Sequence, residues 1–229
     1  MLGEALKLSL LTDKLGADVG DSMPFYFPAG TWCNIYNSTD ACFTSTGETK
    51  DYVTKAYAFQ LHLRDGYIVP LQDAKTLKAM TSKDLQDHPV DLHINPACDA
   101  NACSAKGSYL NDDGVTTDVD HQRNIYDLTL TGKASDVTLG ITNETVAETE
   151  TKGHINMNDV IGTVQIYNAK AQGFDGDSTV KITMWGDAKA PTAADAKYDS
   201  TLDRLVWTAP TKDDALYMAD VASIEFTKK

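Results

Sequence analysis

Residues 57–66 read Tyr-Ala-Phe-Gln-Leu-His-Leu-Arg-Asp-Gly, and this stretch shows the pattern that decides the fold. Large apolar residues alternate with smaller or polar ones as far as Leu63, and an Asp-Gly pair follows shortly after. Because successive side chains of a strand point to opposite faces, this alternation predicts a strand with one face on a core. The Asp-Gly pair is typical of the tight turn that ends such a strand.

The same alternation recurs along the chain. Apolar residues occupy every second position in these further runs: Leu6-Leu8-Leu10, Val90-Leu92-Ile94, Tyr126-Leu128-Leu130, Val137-Leu139-Ile141, Val180-Ile182-Met184 and Leu205-Trp207. Turn-forming pairs such as Asp113-Gly114 and Asp175-Gly176 stand between the runs. Only the short stretches 74–80 and 193–196 suggest helix. The sequence therefore predicts an all-β protein of antiparallel β-sandwiches.

The alternating pattern is interrupted between Leu71 and Val90, where polar residues such as those of 81–84 dominate. A change of pattern of this kind is typical of a boundary between two structural units. The interruption predicts a smaller, proximal β-sandwich over residues 21–80 and a larger, distal β-sandwich over residues 81–229.

The overall charge excludes some classes of partner. The chain has 229 residues and a formal net charge of −13. An acidic surface repels phosphate backbones and anionic lipids, so we expect no nucleic acid partner and no membrane-surface partner. No apolar stretch approaches the length of about 18 residues that a membrane span needs, so we expect no membrane span.

The four cysteines form two pairs that are close in sequence, Cys33 with Cys42 and Cys98 with Cys103. Two short-loop disulfides are the main interpretation, and they indicate an oxidising compartment. A zinc site with four cysteine ligands is the alternative, but neither pair has the C-x-x-C spacing of such sites.

Two glycosylation sequons agree with an oxidising compartment. Asn37-Ser38-Thr39 and Asn143-Glu144-Thr145 both have the N-x-Ser/Thr pattern in polar surroundings. The first residues lack the basic and apolar segments of a signal peptide. We therefore expect the chain to be a piece of a longer secreted, extracellular or lumenal protein of the lysosome or endoplasmic reticulum.

Four segments in order, 1–10, 24–32, 61–72 and 109–114, resemble segments of glycoside hydrolase family 31, the α-glucosidase and maltase family. Residues 24–32, Pro-Phe-Tyr-Phe-Pro-Ala-Gly-Thr-Trp, are similar to the family's aromatic turn. The family's strand of the type His-x-Arg-Gly-Gly is matched by residues 62–66, although Asp65 replaces the first glycine. The resemblance covers residues 1 to about 145.

The resemblance implies where the chain would lie in such an enzyme. Residues 1–20 would be the last strand of a (β/α)8 barrel and its connection, and the two β-sandwiches would follow as the carboxy-terminal region. The barrel would carry both catalytic carboxylates, upstream of Met1. The chain itself would then have no catalytic residues, no cofactor and no metal.

The matching residues are expected to have structural roles. These motif residues are Tyr26, Phe27, Pro28, Gly30, Trp32, Arg64, Gly66, Pro70, Asp113 and Gly114. Tyr26 and Phe27 are expected to bury their rings, and Gly30 to supply an unusual backbone conformation. Arg64 is expected to bind a carboxylate or a carbonyl. Asp113-Gly114 fits a tight hairpin turn.

Other chemistry has little support in the sequence. His62 and His93 occupy the polar sides of predicted strands, and no pair of histidines has metal-ligand spacing. Asp112, Asp113, Asp118 and Asp120 suggest calcium, but their spacing is not that of a calcium-binding EF-hand loop.

Two functions remain open. The first is the non-catalytic carboxy-terminal part of an α-glucosidase-like hydrolase, with the upstream barrel of the same precursor as partner and an α-glucoside or other glycan as the ligand of the whole enzyme. The second is a catalytically inert carbohydrate-binding or extracellular assembly protein derived from that family. Trp185 and Trp207 are candidates for sugar contact, although their positions beside apolar strand faces favour core packing.

Overall fold

A computed structural model describes residues 1–10, 22–36, 42–53, 60–72, 81–85, 88–112, 123–144, 159–186, 189–210 and 214–229. These residues form mainly β-strands. The elements are β1 Leu6–Ser9, β2 Ser22–Phe27, β3 Gly30–Asn34, β4 Phe43–Ser45, β5 Glu48–Val53, β6 Gln60–Arg64, β7 Tyr67–Leu71, α1 Ser82–Leu85, β8 Val90–Asn95, β9 Ala97–Cys98, β10 Cys103–Asp112, β11 Arg123–Lys133, β12 Asp136–Asn143, β13 Ile161–Tyr167, β14 Ser178–Met184, β15 Lys197–Asp199, β16 Arg204–Thr208 and β17 Val221–Lys228. The prediction of an all-β protein is confirmed.

The described strands form three sheets. The small sheet has the order β1-β6-β3-β4, and β2 and β5 form a separate two-stranded ribbon. The large sheet has eleven strands in the order β14-β17-β12-β11-β10-β7-β8-β13-β16-β15, with β9 paired to β10 beside this path.

The small sheet and the ribbon together form the small sandwich, which encloses an aromatic core. Phe25 and Phe27 from the ribbon pack with Trp32 from β3 and with Tyr52 from β5. The ring of Phe27 meets the ring of Phe43 edge-on, with centroids 4.9 Å apart. Edge-to-face pairs of this kind add about 0.5–1.5 kcal/mol to the stabilisation from burial.

The large sheet folds over and encloses its own core. Trp207 of β16 and Phe226 of β17 are far apart in strand order, yet their ring centroids lie 6.3 Å apart. The two ends of the sheet also meet, since Ser178 of β14 and Ala196 exchange backbone hydrogen bonds of 3.0 and 2.9 Å. The large sheet is therefore a flattened, closed sandwich.

The large sheet is mixed and not purely antiparallel. β7 runs parallel to β10, and β8 runs parallel to β13. Alternation of side chains reveals which face is buried but not the direction of the neighbouring strand, so the sequence could not predict this difference. β7 also lies before residue 80 and pairs with β8 and β10 beyond it. The domain division at that point stays a prediction.

The first strand differs from its predicted orientation. β1 pairs with β6, so the structure places it in the small sheet, whereas the resemblance implies a barrel strand. Lys7 and Ser9 face the aromatic core, and Leu10 is 59% exposed. The predicted burial of Leu10 is therefore wrong. The pairing of β1 with β6 sets the register and aligns Lys7 with the buried His62, so the face of β1 that carries Lys7 and Ser9 is the inner one.

The two short helix predictions have different outcomes. Residues 193–196 are not helical, since the backbone of Ala196 instead forms hydrogen bonds with that of Ser178 in β14. The stretch 74–80 lies outside the described residues. Within the part of the chain that the structure describes, no helix is long and apolar enough to cross a membrane.

Candidate functional site

The aromatic turn between β2 and β3 holds several of the motif residues. The rings of Phe27 and Trp32 are fully buried. The indole Nε1–H of Trp32 donates to the carbonyl of Pro28 at 2.8 Å and closes the turn. Gly30 has a φ of +140°, and a Cβ there would lie 2.8 Å from Oδ1 of Asp65. The turn therefore requires glycine at this position.

Tyr26 is a correction to the predicted site. Its side chain is 57% exposed, whereas its neighbours Phe25 and Phe27 are buried. Because β2 is a strand, adjacent side chains point to opposite faces, and two consecutive aromatic residues cannot both enter one core. The prediction that Tyr26 buries its ring is wrong.

Arg64 ties the end of β6 to the aromatic turn. Its Nη2 donates to the carbonyl oxygen of Ala29 at 3.0 Å. The guanidinium also lies 6.0 Å from the centre of the Trp32 ring. A backbone carbonyl is one of the two partners that the sequence suggested for Arg64.

The chain crosses from the small sheet to the large sheet at Asp65-Gly66. Gly66 has a φ of +82°, its N–H donates to the carbonyl of Asn95 at 2.7 Å, and its own carbonyl accepts from Lys106 at 3.0 Å. The side chain of Asn95 donates to the carbonyls of Thr31 and Leu63. Asp65-Gly66 is therefore a bend between two sheets and not a hairpin turn.

An open cavity of about 440 Å³ lies beside this crossing. Its walls include the cations of Arg64 and Lys106, the phenol of Tyr67 and the hydroxyls of Thr129 and Thr131.

Pro70, the remaining described motif residue, lies in β7 opposite Leu92. Asp113 and Gly114 lie outside the described residues.

His62 is the most unusual residue of the small sandwich. The prediction that it lies on a water-facing side is wrong, because it is fully buried. The rings of Phe27, Phe43 and Tyr52 surround it at 5.0–5.9 Å, all edge-on. Neither ring nitrogen has a hydrogen-bond partner among the described residues. Burial, together with the charges of Lys7 and Lys50, lowers the pKa of His62 from 6.5 to about 3.

Two lysines contact the rings that surround His62. The Nζ of Lys7 lies 4.5 Å from the centre of the Phe27 ring, and Nζ of Lys50 lies 3.6 Å from that of Phe43. Lys7 also donates to the hydroxyl of Ser9. Burial lowers the pKa of Lys7. Cation–π contacts compensate part of the cost of placing these charges beside an apolar core.

His93 is also buried, so the same prediction is wrong for it. Its Nδ1 and the hydroxyl of Tyr167 lie 2.8 Å apart, and Arg204 donates to that hydroxyl at 3.3 Å. Burial, followed by the charge of Arg204, lowers the pKa of His93 to about 4. Tyr167 packs with Cys33 and Leu63 of the small sheet, so this group lies where the two sandwiches meet.

Asp159 is a buried carboxylate that the sequence did not indicate. It accepts hydrogen bonds from Nδ2 of Asn111 at 2.6 Å, Nδ2 of Asn124 at 2.7 Å and the hydroxyl of Tyr126 at 2.8 Å. Burial and the Asp159 charge raise the pKa of Tyr109 to about 12. A signal did exist, because extending the Tyr126-Leu128-Leu130 alternation backwards places polar Asn124 on the core face.

The disulfide predictions are confirmed. Cys33 is bonded to Cys42, and Cys98 is bonded to Cys103. The alternative of a zinc site is therefore excluded for these cysteines. Among the described residues, no group of three or more His, Cys, Asp or Glu side chains is arranged to hold a metal ion.

The two sequons differ in what the structure describes. Asn37 lies outside the described residues. Asn143 ends β12 and is only 9% exposed, and its Nδ2, the atom that would carry a glycan, is buried. Glycosylation at Asn143 would therefore require this end of β12 to open.

The two candidate tryptophans also differ. Trp207 is fully buried in the core of the large sandwich and donates from Nε1 to the carbonyl of Ala194. Trp185 is 52% exposed. Of these two candidates, only Trp207 packs in a core.

Comparison with known proteins gives similarity in structure and not in sequence. No protein family and no curated protein matches the chain. The α subunit of glucosidase II, in a structure with bound Glc1Man2, matches 98% of this chain and 23% of its own, with a TM-score of 0.65 and 14% identity. The Flavobacterium johnsoniae GH31 dextranase matches 100% of this chain and 26% of its own, with a TM-score of 0.61 and 11% identity.

A third similar structure is the cycloalternan-forming enzyme of Listeria monocytogenes, which matches 99% of this chain and 18% of its own, with a TM-score of 0.55 and 14% identity. The chain thus spans about a quarter or less of the enzymes that it matches. Over its whole length, its fold resembles that of the carboxy-terminal region of glycoside hydrolases of family 31.

Proposed function

We propose that the chain is the non-catalytic carboxy-terminal part of an α-glucosidase-like hydrolase, and that it packs against and supports the catalytic barrel of the same precursor. The observation that carries this proposal is the match of nearly all of this chain to a minor part of each similar enzyme. In those enzymes a catalytic barrel precedes the matching region.

The exposed apolar residues near β1 support a contact with another part of such a protein. Met1, Leu2 and Leu10 are all exposed, and they flank the outer strand of the small sheet. Covering apolar side chains of this kind contributes roughly 25 cal/mol for each Å² removed from water. The barrel is the partner that the resemblance implies for this surface.

The groups described above support a structural role. Retaining glycosidases need one carboxylate as nucleophile and another as acid/base on either side of the scissile bond. The buried carboxylate of Asp159 instead accepts three side-chain hydrogen bonds. Arg64 and Trp32 bond to carbonyls of the aromatic turn. These interactions hold elements together, and in the proposed enzyme both catalytic carboxylates belong to the barrel.

The location that we propose is secreted, extracellular or lumenal. Its support is the pair of disulfides, which persist in oxidising compartments. Asn37 is the better of the two proposed glycosylation sites, because Nδ2 of Asn143 is buried.

The absence of catalysis is tested with the 229-residue chain itself. We expect no turnover of p-nitrophenyl α-glucoside above the buffer rate, while the complete precursor hydrolyses it. Turnover by the purified chain at a rate proportional to its concentration would contradict the proposal.

The contact with the barrel is tested by producing the barrel and this chain as separate polypeptides and measuring their association. We expect Leu10→Glu to weaken association at least about tenfold, because it places a charge in the apolar contact. Leu110→Glu is the matched control, since Leu110 is equally exposed but lies on β10 of the large sheet. Equal effects of both changes would argue against a contact at β1.

A further inference from the structure

The cavity beside the crossing at Asp65-Gly66 contains a lysine without a partner. Lys106 is exposed and lines this cavity, and its side chain forms no ion pair or hydrogen bond within the part of the chain that the structure describes. Other lysines of this acidic protein do pair with carboxylates, for example Lys181 with Glu225. An ammonium group that stays unpaired in a protein with a net charge of −13 is a group that a ligand can use.

The register of the large sheet groups three hydroxyls around Lys106. In the pairing of β10 with β11, Lys106 lies opposite Thr129. Ser104 lies opposite Thr131 in the same pairing. All four side chains are exposed and line the cavity, and the three hydroxyls form no hydrogen bond with a described residue. Neighbouring strands are roughly 5 Å apart and alternate residues of a strand roughly 7 Å apart, so one small ligand can span this patch.

The small sandwich supplies the opposite wall, which carries both signs of charge. Arg64 and Asp65 line the cavity and lie together over the aromatic turn. A Cβ on Gly30 would be 3.2 Å from Nε of Arg64 and 2.8 Å from Oδ1 of Asp65. Glu4 accepts from the hydroxyl of Tyr67 at 3.0 Å but does not line the cavity. The lining therefore carries two cations and one carboxylate, which is an excess of positive charge.

Backbone interactions hold the two walls in place. The N–H of Lys106 donates to the carbonyl of Gly66 at 3.0 Å, so β10 lies directly against the crossing. On the other side, Ser104 pairs with Ala97, next to the disulfide between Cys98 and Cys103. The lining residues thus belong to strands and to a disulfide-closed hairpin, which position binding groups more precisely than loops do.

We propose that this cavity binds a tetrahedral oxyanion, a phosphate or sulfate group, as the free ion or as a monoester. An ammonium group forms its strongest hydrogen bonds with an anionic acceptor. The hydroxyls of the patch donate to the remaining oxygens. A neutral ligand would displace water from Lys106 without compensating its charge, which costs free energy. The cavity volume of about 440 Å³ is in the usual range of roughly 300–1,000 Å³ for small-molecule sites.

The acidic surface restricts the size of the anion and does not exclude it. At physiological ionic strength, charges farther away than about 8–10 Å are largely screened, so a single oxyanion responds mainly to the lining of the cavity. An extended polyanion such as nucleic acid would also meet the acidic surface around it. The site does not depend on the proposed function or on the contact at β1.

The test is an NMR titration of the isotope-labelled 229-residue chain with sodium phosphate, sodium sulfate and phenyl phosphate at constant ionic strength. We expect a Kd of about 1 mM or tighter, with the largest amide shifts at residues 104–106 and 129–131. Lys106→Gln should weaken binding at least about tenfold, and Thr131→Val about threefold. Lys181→Gln is the matched control, because it removes the same charge but three strands lie between β14 and β10 in the sheet order.

The probes distinguish the two sources of the anion. Binding of the inorganic ions alone would identify the free ion as the ligand, whereas equal or tighter binding of phenyl phosphate would identify a monoester. The circular dichroism spectrum of each variant shows whether it has folded. The proposal is overturned if no probe binds at about 20 mM, or if folded Lys106→Gln binds as tightly as Lys181→Gln. Equal affinity for acetate would overturn the preference for a tetrahedral oxyanion.

Discussion

His62 shows how one buried side chain makes stability depend on pH. The ring is enclosed by Phe27, Phe43 and Tyr52, and its pKa is lowered to about 3. In the unfolded chain its pKa returns to about 6.5. Between these values the unfolded state binds a proton that the folded state does not, so the folded state loses stability as the pH falls. Above about pH 6.5 this loss is absent.

We expect His62→Leu to reduce the acid sensitivity of the protein. Between about pH 6 and pH 4.5, the free energy of unfolding should fall more steeply for the unchanged protein than for the variant as the pH is lowered. The difference between the two slopes should be about 1.4 kcal/mol per pH unit. At pH 7 the variant should differ by less than about 1.5 kcal/mol, because neither ring nitrogen loses a hydrogen bond. Urea unfolding at several pH values measures both quantities.

His88→Leu is the control, since His88 is not fully buried. It should leave the pH dependence of the unchanged protein intact. Identical slopes for the unchanged protein and His62→Leu would show that His62 takes up its proton in the folded state.

At the scale of elements, the close approach of β10 to β7 depends on a glycine. Gly107 of β10 lies so near β7 that a Cβ there would be 2.1 Å from the carbonyl oxygen of Ile68. The two strands are parallel and pair at Lys106 and Tyr67. The contact between β10 and β7 joins the crossing at Gly66 to the middle of the large sheet. Separating these two strands would therefore disturb the crossing and the large sheet together.

We expect Gly107→Ala to destabilise the protein by roughly 2–3 kcal/mol, because the methyl group meets backbone atoms that cannot move aside. Gly176→Ala is the matched control, since a Cβ there meets nothing within 4 Å. The control should change the free energy of unfolding by less than about 0.5 kcal/mol. Chemical denaturation of the two variants compares them, and equal effects would show that β10 can shift away from β7.

At the scale of the whole molecule, two sandwiches share one short bend and a packed contact. The bend at Asp65-Gly66 is held by hydrogen bonds from both sides, and Tyr167 packs against Cys33 and Leu63. Each sandwich has its own disulfide, since Cys33 lies in β3 and Cys103 in β10. The two bridges therefore act on different parts of the fold.

We expect reduction of both disulfides to lower the stability of the folded protein. The bridges close short loops with sequence separations of 9 and 5. In the chain-entropy description, loops of this length contribute about 2–3 kcal/mol each. Urea unfolding with and without a reducing agent measures the loss. The double variants Cys33→Ser/Cys42→Ser and Cys98→Ser/Cys103→Ser should show approximately additive effects, and an unchanged midpoint on reduction would contradict the expectation.

Local features of this fold were predictable from the sequence. Alternation identified strands such as β8, β11 and β12, and cysteine spacing identified both disulfides. The physical reason is that strand faces and short loops depend on neighbouring residues.

Features that depend on distant residues were not predictable. The parallel pairs, the meeting of Ser178 with Ala196 and the burial of His62 all depend on which strands become neighbours. For β1, alternation predicted the wrong inside face, since Lys7 lies inside and Leu10 is exposed. Trp185 is exposed, although its position beside an apolar strand face favoured core packing.

The inward position of Lys7 has a consequence for how the protein behaves in solution. β1 is the outermost strand of the small sheet, so among the described strands only β6 pairs with it. Outer strands with free backbone groups invite strand addition from other chains and lead to aggregation. A charge that points inward on such a strand opposes this, because a second chain stacked there would bury the ammonium group away from water. Lys7 thereby protects this edge of the small sheet.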